Sequence, residues 1–368
     1  MMTLNILLIE PYYGGSHQAW ADGYARHSRH NVTLLTLPAQ FWKWRMQGGA
    51  VTIARLFNAY NIQPDVILVS DMMDLSTFRA LTRKQTSDIP CALYFHENQL
   101  VYPQNSRQKH GWQYGFINYI SAMAADAVYF NSAFHQRAFY DELPRMLKHF
   151  GDYNELESME QLKAKSSVLP VGINLKRYDI YRPKTRPANA SPLILWNHRW
   201  EEDKNPRTFF QALYGLMNSG IAFRVAIVGE NFRQEPTEFE EARQRLGDRV
   251  VRYGFVEEFA EYARLLWQAD YIISTAYQDF FGISVAEAIY CGCIPILPGR
   301  LNYPALMPEA YHDDCLYRGN ALQPLLIKHL TGDIAVDTIP LQRFISQFEW
   351  QHIAPQYDAA FSQLIQTR

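Results

Sequence analysis

Four stretches of the chain carry side chains whose types and spacing could do chemistry. The first is Glu10-Pro-Tyr-Tyr-Gly14-Gly15-Ser16-His17, which follows an apolar run. A glycine pair between a strand and a helix lets backbone N–H groups approach a phosphate at the helix N-terminus. The motif is neither G-x-G-x-x-G nor a lysine-bearing Walker loop, and a plain tight turn fits it too. The second is His198-Arg199-Trp-Glu-Glu-Asp-Lys204-Asn205-Pro206. Asn205 and Pro206 read as a helix start, which leaves Arg199 and Lys204 in the loop that leaves a strand. Two cations there suit a diphosphate leaving group, and surface pairing with the adjacent acids is the competing reading. The third runs from Ser274 through Asp279, Phe281, Gly282, Ile283 and Ser284 to Glu287. Free N–H groups at a helix start near Ser284 offer an anion or hydroxyl site, and the two carboxylates are acceptors for sugar hydroxyls unless they serve only as caps. The fourth is His96-Glu-Asn-Gln at the end of an apolar run, where an imidazole can donate to a substrate or act as acid or base.

The elements that must position these residues are short. Apolar runs of four to seven residues recur at Leu4–Ile9, Val32–Leu37, Asp65–Val69, Ala92–Phe95 and Ala127–Phe130. They resume at Leu193–Trp196, Phe223–Val228, Val250–Phe255, Tyr271–Ser274 and Ile294–Leu297. Near-continuous runs of this kind predict strands buried on both faces, as in parallel sheets covered by helices. Segments such as Trp112–Asp126, Asn205–Met217 and Phe259–Gln268 are long enough to be the crossovers. Three prolines in the stretch from Tyr181 to Pro192 predict a linker. The expected architecture is α/β, two doubly wound domains over 1–185 and 190–345, with the ligand in a cleft between them. A final helix over 346–368 is expected to return to the first domain.

With 368 residues, 48% of them apolar and 20% charged, the chain has ample material for two cores. Its formal charge is −2, from 35 basic against 37 acidic residues, so no global basic field points to nucleic acid. Residues 1–185 carry 19 basic and 15 acidic side chains, a net of +4, and the remainder a net of −6. The longest apolar region, Phe280–Pro298, holds Glu287 and several Gly and Pro, which disfavours a membrane span. Leu4–Ile9 has no basic residue before it and Glu10 after it, which reads as a strand rather than a signal peptide. Four cysteines, Cys91, Cys291, Cys293 and Cys315, form neither a disulfide framework nor a zinc spacing. The expectation is a reduced, cytoplasmic protein with no obligate protein partner. No Ser-His-Asp order, H-E-x-x-H pair or metal-ligand spacing is present in the sequence.

Taken together, these residues resemble the retaining GT-B glycosyltransferases of the glycogen-synthase-like and mannosyltransferase-like group. That group's Glu-x7-Glu is read here as Asp279-x7-Glu287, its Arg-x4-Lys as Arg199 and Lys204, and its Gly loop as Gly14-Gly15. Four strings are similar more narrowly to the tRNA-queuosine α-mannosyltransferase family: Glu10–His17, Tyr94–Leu100, His198–Lys204, and Phe280–Gly282 with Tyr290–Cys293. The resemblance implies GDP-mannose as donor, a tRNA carrying queuosine as acceptor, and no cofactor or metal. It implies that Arg199 and Lys204 hold the diphosphate and that Glu287 binds the ribose. Asp279 and the N–H groups of Phe281 to Ile283 would grip the sugar, with His96 near the reacting carbon. Gly15 would let the first loop close on the phosphates, and Glu230 with the 253–256 turn would lie near the base. Asp279 is one methylene shorter than the family's Glu, which a different hydroxyl or a bridging water would accommodate. A transferase acting on a lipid-linked or cell-surface saccharide, or a nucleotide-sugar epimerase, could use the same donor residues.

An anticodon base is read unpaired, by stacking on aromatics and by cations on phosphates. The first domain offers Phe41-Trp42-Lys43-Trp44-Arg45 and Arg107-Gln-Lys109-His110-Gly-Trp112 for this, together with His17. Buried aromatics beside solvated charges remain the alternative for both segments.

Overall fold

A computed structural model describes residues 3–101, 112–149, 151–186, 189–230 and 237–366. The chain forms two compact units, Met1–Asn174 with Phe348–Arg368, and Leu175–Gln347. The first holds six parallel strands: β1 (Asn5–Tyr13), β2 (Asn31–Pro38), β3 (Val66–Ser70), β4 (Cys91–Phe95), β5 (Ala127–Phe130) and β6 (Ser166–Val168). Their order is β2-β1-β3-β4-β5-β6. The second unit repeats the plan with β7 (Leu193–Trp196), β8 (Arg224–Val228), β9 (Val250–Gly254), β10 (Tyr271–Ile273), β11 (Ile294–Pro298) and β12 (Leu316–Tyr317). There the order is β12-β11-β10-β7-β8-β9.

Each sheet is covered by helices, and the central strands β3, β4, β5 and β7 are buried along their whole length. This is what near-continuous Val, Ile, Leu and aromatic runs dictate. Two runs depart from it. β2 has only two buried positions and β9 has none, because both lie at sheet edges with one neighbour each. The short strands β6 and β12 have too few residues to stand out as apolar runs.

The domain boundary differs from the expected linker at 181–192. The chain passes into the second unit after Asn174. A short 3₁₀ helix, Lys176–Tyr181, buries Tyr178 with its ring 5.1 Å from Phe259, and Trp267 donates its indole N–H to the Tyr178 carbonyl at 2.9 Å. Arg186 donates to the carbonyls of Gly292 and Ala269, and Asn189 to that of Gln268 and to Asp270. Prolines marked a stretch without periodicity, but polar side chains tie that stretch to one unit.

The returning helix, Trp350–Gln366, belongs to the first unit. Ile173 N–H donates to Phe348 O at 2.7 Å where the chain comes back. Trp350 lies against Gly23 and Gly172, where an added Cβ would stand 2.1 Å and 2.3 Å from its ring. Asp358 accepts from Tyr24, Ser28 and the Arg29 amide.

Candidate active site

In the first unit, β1 carries Glu10 just before the Gly14-Gly15 turn. Gly14 packs so that a Cβ would come within 2.5 Å of the Ala39 Cβ, and Gly15 takes φ +53°, which a glycine adopts without strain. The helix Gly15–His27 starts at this turn and places His17 in its first turn. Glu10 is fully buried, accepting from Tyr12 N at 2.8 Å through Oε1 and facing His17 Nδ1 at 3.1 Å through Oε2. His96, at the exit of β4, has its ring 4.2 Å from that of His17, with Nε2 3.7 Å from the same Glu10 oxygen. Its backbone N–H donates to Asp71 Oδ1 at 2.8 Å, while His96 Nε2 and Asp71 Oδ2 are buried without a hydrogen-bond partner.

Burial opposes the charged form of His17, yet the Glu10 carboxylate, with Asp71 and Glu97, outweighs it and pushes the imidazole up to about 9. Burial, the His17 cation and His135 hold His96 well below the ordinary histidine range. Burial pushes Asp71 well up, helped by Glu97 and Glu10 and opposed by His17. These groups sit at the carboxyl ends of neighbouring strands, where ligands bind in open parallel sheets. Among the described residues, Glu10, His17 and His96 form a group whose ligating atoms lie within 4.8 Å of one another, close enough to share a metal ion.

The proposed acceptor residues divide. Phe41 and Trp44 are strongly exposed at 76% and 59%, at the start of the helix Trp42–Tyr60. Trp42 is half-buried against Tyr114 at 5.1 Å, with the Lys43 ammonium 5.6 Å from its ring. The Arg45 guanidinium donates to Pro38 O at 3.0 Å. Lys109 lies outside the described residues.

In the second unit, the loop 198–205 leaves β7 and is laced to the loop after β10. Thr275 Oγ1 donates to the carbonyls of Lys204 and Asn205 at 2.9 Å, and Tyr277 N–H to that of Asp203 at 2.7 Å. Trp200 N–H donates to Glu230 O at 3.0 Å, which brings the β8 exit into the same cluster. Gly229 permits this approach, since a Cβ there would fall 1.8 Å from His198 O. Lys204 is buried, donating to Gln278 O at 2.6 Å and standing 3.3 Å from Asp203. Arg199 is half-exposed and 3.3 Å from Glu201, a pairing worth only about 0–1 kcal/mol that a ligand can displace. Burial, with the Lys204 charge, lowers His198 to about 4, so this imidazole is neutral.

Asp279 is already engaged, accepting from Phe281 N at 3.3 Å and from Tyr303 OH at 3.2 Å. The Phe281 N–H, expected to face the sugar, is therefore turned to Asp279. Gly282 takes φ +94° and opens the helix Ile283–Tyr290, while Ser284 O accepts from Asn197 at 3.0 Å. Glu287 is buried, and Arg177 Nη2 donates to it at 2.9 Å. Burial raises its carboxyl, and Arg177 with Tyr178 pulls the other way. Asp71, Arg177 and Tyr303 escaped sequence reasoning because partners of each, His96, Glu287 and Asp279, are distant in the chain. Glu10 alone had a signal, an acid inside the first apolar strand.

Residues 5–173 match the family described as tRNA-queuosine α-mannosyltransferase N-terminal, and residues 178–300 match glycosyl transferases group 1. A tRNA-queuosine α-mannosyltransferase of Drosophila melanogaster is 35% identical over 83% of this chain and 82% of its own length. A GDP-mannose:cellobiosyl-diphosphopolyprenol α-mannosyltransferase of Xanthomonas oryzae is 20% identical over 52% of this chain and 50% of its own. Among solved structures, a Rickettsia africae glycosyltransferase aligns with TM-score 0.70 at 15% identity, covering 100% of both chains. The catalytic domain of Arabidopsis thaliana starch synthase IV aligns with TM-score 0.71 at 13% identity, over 99% and 100% of the two chains. The two structures share the GT-B fold of paired parallel sheets, and the sequence match across four-fifths of the chain goes further: this protein is a glycosyltransferase of the tRNA-queuosine α-mannosyltransferase family.

Proposed function

We propose that the chain transfers mannose from GDP-mannose to queuosine in tRNA, with retention at the sugar carbon and without metal or cofactor. The observation that carries this reading is the 35% identity to the Drosophila enzyme across four-fifths of both chains. Arg199 and Lys204 neutralise the departing diphosphate, and contacts of that kind each contribute on the order of 10²–10³ in rate. Asp279, with the N–H groups of Gly282 and Ile283, holds the transferred sugar, and Glu287 takes the ribose hydroxyls beside Arg177. His96 stands near the reacting carbon, and Glu230 lies toward the base. The acceptor hydroxyl attacks from the face the diphosphate leaves, and the diphosphate takes its proton. Exposed Phe41 and Trp44, with Lys43 between them, supply the stacking surface for an unpaired base. No helix among the described residues is long and apolar enough to cross a membrane, and a tRNA acceptor supports a cytoplasmic location.

The test is incubation with GDP-mannose and two tRNA pools, with and without queuosine, followed by nucleoside digestion and mass analysis. The expected result is a hexosylated nucleoside in the queuosine pool only. Product in neither pool, with GDP-mannose bound, would move the acceptor to a saccharide or lipid, the chemistry named for the Xanthomonas relative.

A further inference from the structure

Tyr303 is fully buried, and the hydroxyl of a buried tyrosine needs a partner. It has two, Ser274 Oγ at 2.7 Å and Asp279 Oδ2 at 3.2 Å. A carboxylate only accepts, so the phenol gives its one proton to Asp279. The Ser274 hydroxyl, which accepts from Ala276 N at 3.3 Å, then gives its own proton to the phenol. The relay runs one way, from Ser274 at the exit of β10 to Asp279, which is half-buried. All of these residues belong to the second unit. We propose that Tyr303 is a positioning residue that sets which hydroxyl of the transferred sugar is recognised: its phenol fixes the Asp279 carboxylate in one orientation, as the acceptor for that hydroxyl. This deepens the reading that Asp279 holds the sugar and rests on it.

The same side chain shapes the loop to which Asp279 belongs. A Cβ on Gly282 would stand 3.2 Å from the Tyr303 ring, so the ring lies directly against the left-handed residue that opens the helix Ile283–Tyr290. The neighbouring Asn302, also buried, donates to Phe281 O at 2.9 Å, and Phe281 N–H donates to Asp279 Oδ1 at 3.3 Å. Asp279 therefore has an internal donor on each oxygen, and a carboxylate oxygen can accept two. One acceptor position per oxygen is left for a ligand hydroxyl, at an orientation that the two internal donors set. An aspartate has one side-chain torsion fewer than a glutamate, so two donors fix it more fully. Burial and the Asp279 charge hold the Tyr303 phenol well above its usual range, which keeps it a donor at neutral pH.

The test uses the full chain, queuosine tRNA as acceptor, and GDP-mannose analogues that each lack one sugar hydroxyl. The wild type should lose about 10- to 100-fold in kcat/KM on one analogue of the series. Tyr303→Phe, which removes a single oxygen, should lose about as much on GDP-mannose and yet match the wild type within threefold on that one analogue. It should also bind GDP within threefold of the wild type. Should Tyr303→Phe not fold, Ser274→Ala, which removes the proton given to the phenol, should show the same pattern at about fivefold. An equal loss on every donor, that analogue included, would mean that these side chains only pack the loop, and it overturns the proposal. So does full activity of Tyr303→Phe on GDP-mannose. A wild type indifferent to every missing hydroxyl, or full activity of Asp279→Asn, overturns instead the sugar-holding role of Asp279. No transfer from GDP-mannose by the wild type overturns the function proposed above, so the failures are told apart.

Discussion

Buried histidines set the pH limits of this molecule. His17 is raised to about 9 in the folded chain against 6.5 when unfolded, so its stabilisation is complete below about 6.5 and is lost as pH rises through about 9. His96, His135 and His198 are lowered, the last to about 4. Their unfolded forms take up protons first, so stability falls as pH drops from about 6.5 toward 4. Thermal melts from pH 4.5 to 9.5 should therefore peak near pH 6.5–7, and His17→Gln should flatten the alkaline limb only. A melt curve unchanged by that substitution would mean that Glu10 does not stabilise the His17 cation. Asp279 also belongs at this scale: its shorter side chain is held by Tyr303 and its own loop rather than left to reach outward.

At the scale of elements, close backbone approaches decide where the second unit's loops can stand. Gly229 ends β8 against the His198 carbonyl, and the Trp200–Glu230 bond forms beside it. Gly229→Ala should displace the 198–205 loop, lowering stability by about 1–3 kcal/mol. Donor KM should rise more than tenfold, read by steady-state kinetics at saturating acceptor. Unchanged kinetics would mean that the loop is free to move. The helix Ile283–Tyr290 shows the same logic: Gly282 in a left-handed conformation turns the chain so that Glu287 meets Arg177.

For the whole molecule, the last helix completes the core of the first unit although it is separated from it by the entire second unit. Trp350 fills the space left by Gly23 and Gly172, and Trp20 donates to Tyr357 at 3.1 Å. Trp350→Ala should cost about 3–5 kcal/mol, read as an earlier unfolding transition of the first unit by hydrogen exchange. An unaltered transition would mean that the helix merely rests on that unit.

Much of this was legible in the sequence for a local reason. Buried parallel strands need continuous apolar runs, and a turn into a helix needs its Gly or Pro, so ten strands, the 198–206 loop and the Gly14-Gly15 turn are written in neighbouring residues. The family strings are equally local. What only the tertiary structure decided depends on chain separation: Glu287 meets Arg177 110 residues away, and Trp20 meets Tyr357 337 residues away. The unit boundary moved for the same reason, because composition registers prolines but not the carbonyls that Arg186 and Asn189 find. Whether a carboxylate is free, paired or clamping a histidine is set by packing between elements, and no spacing in the sequence records that.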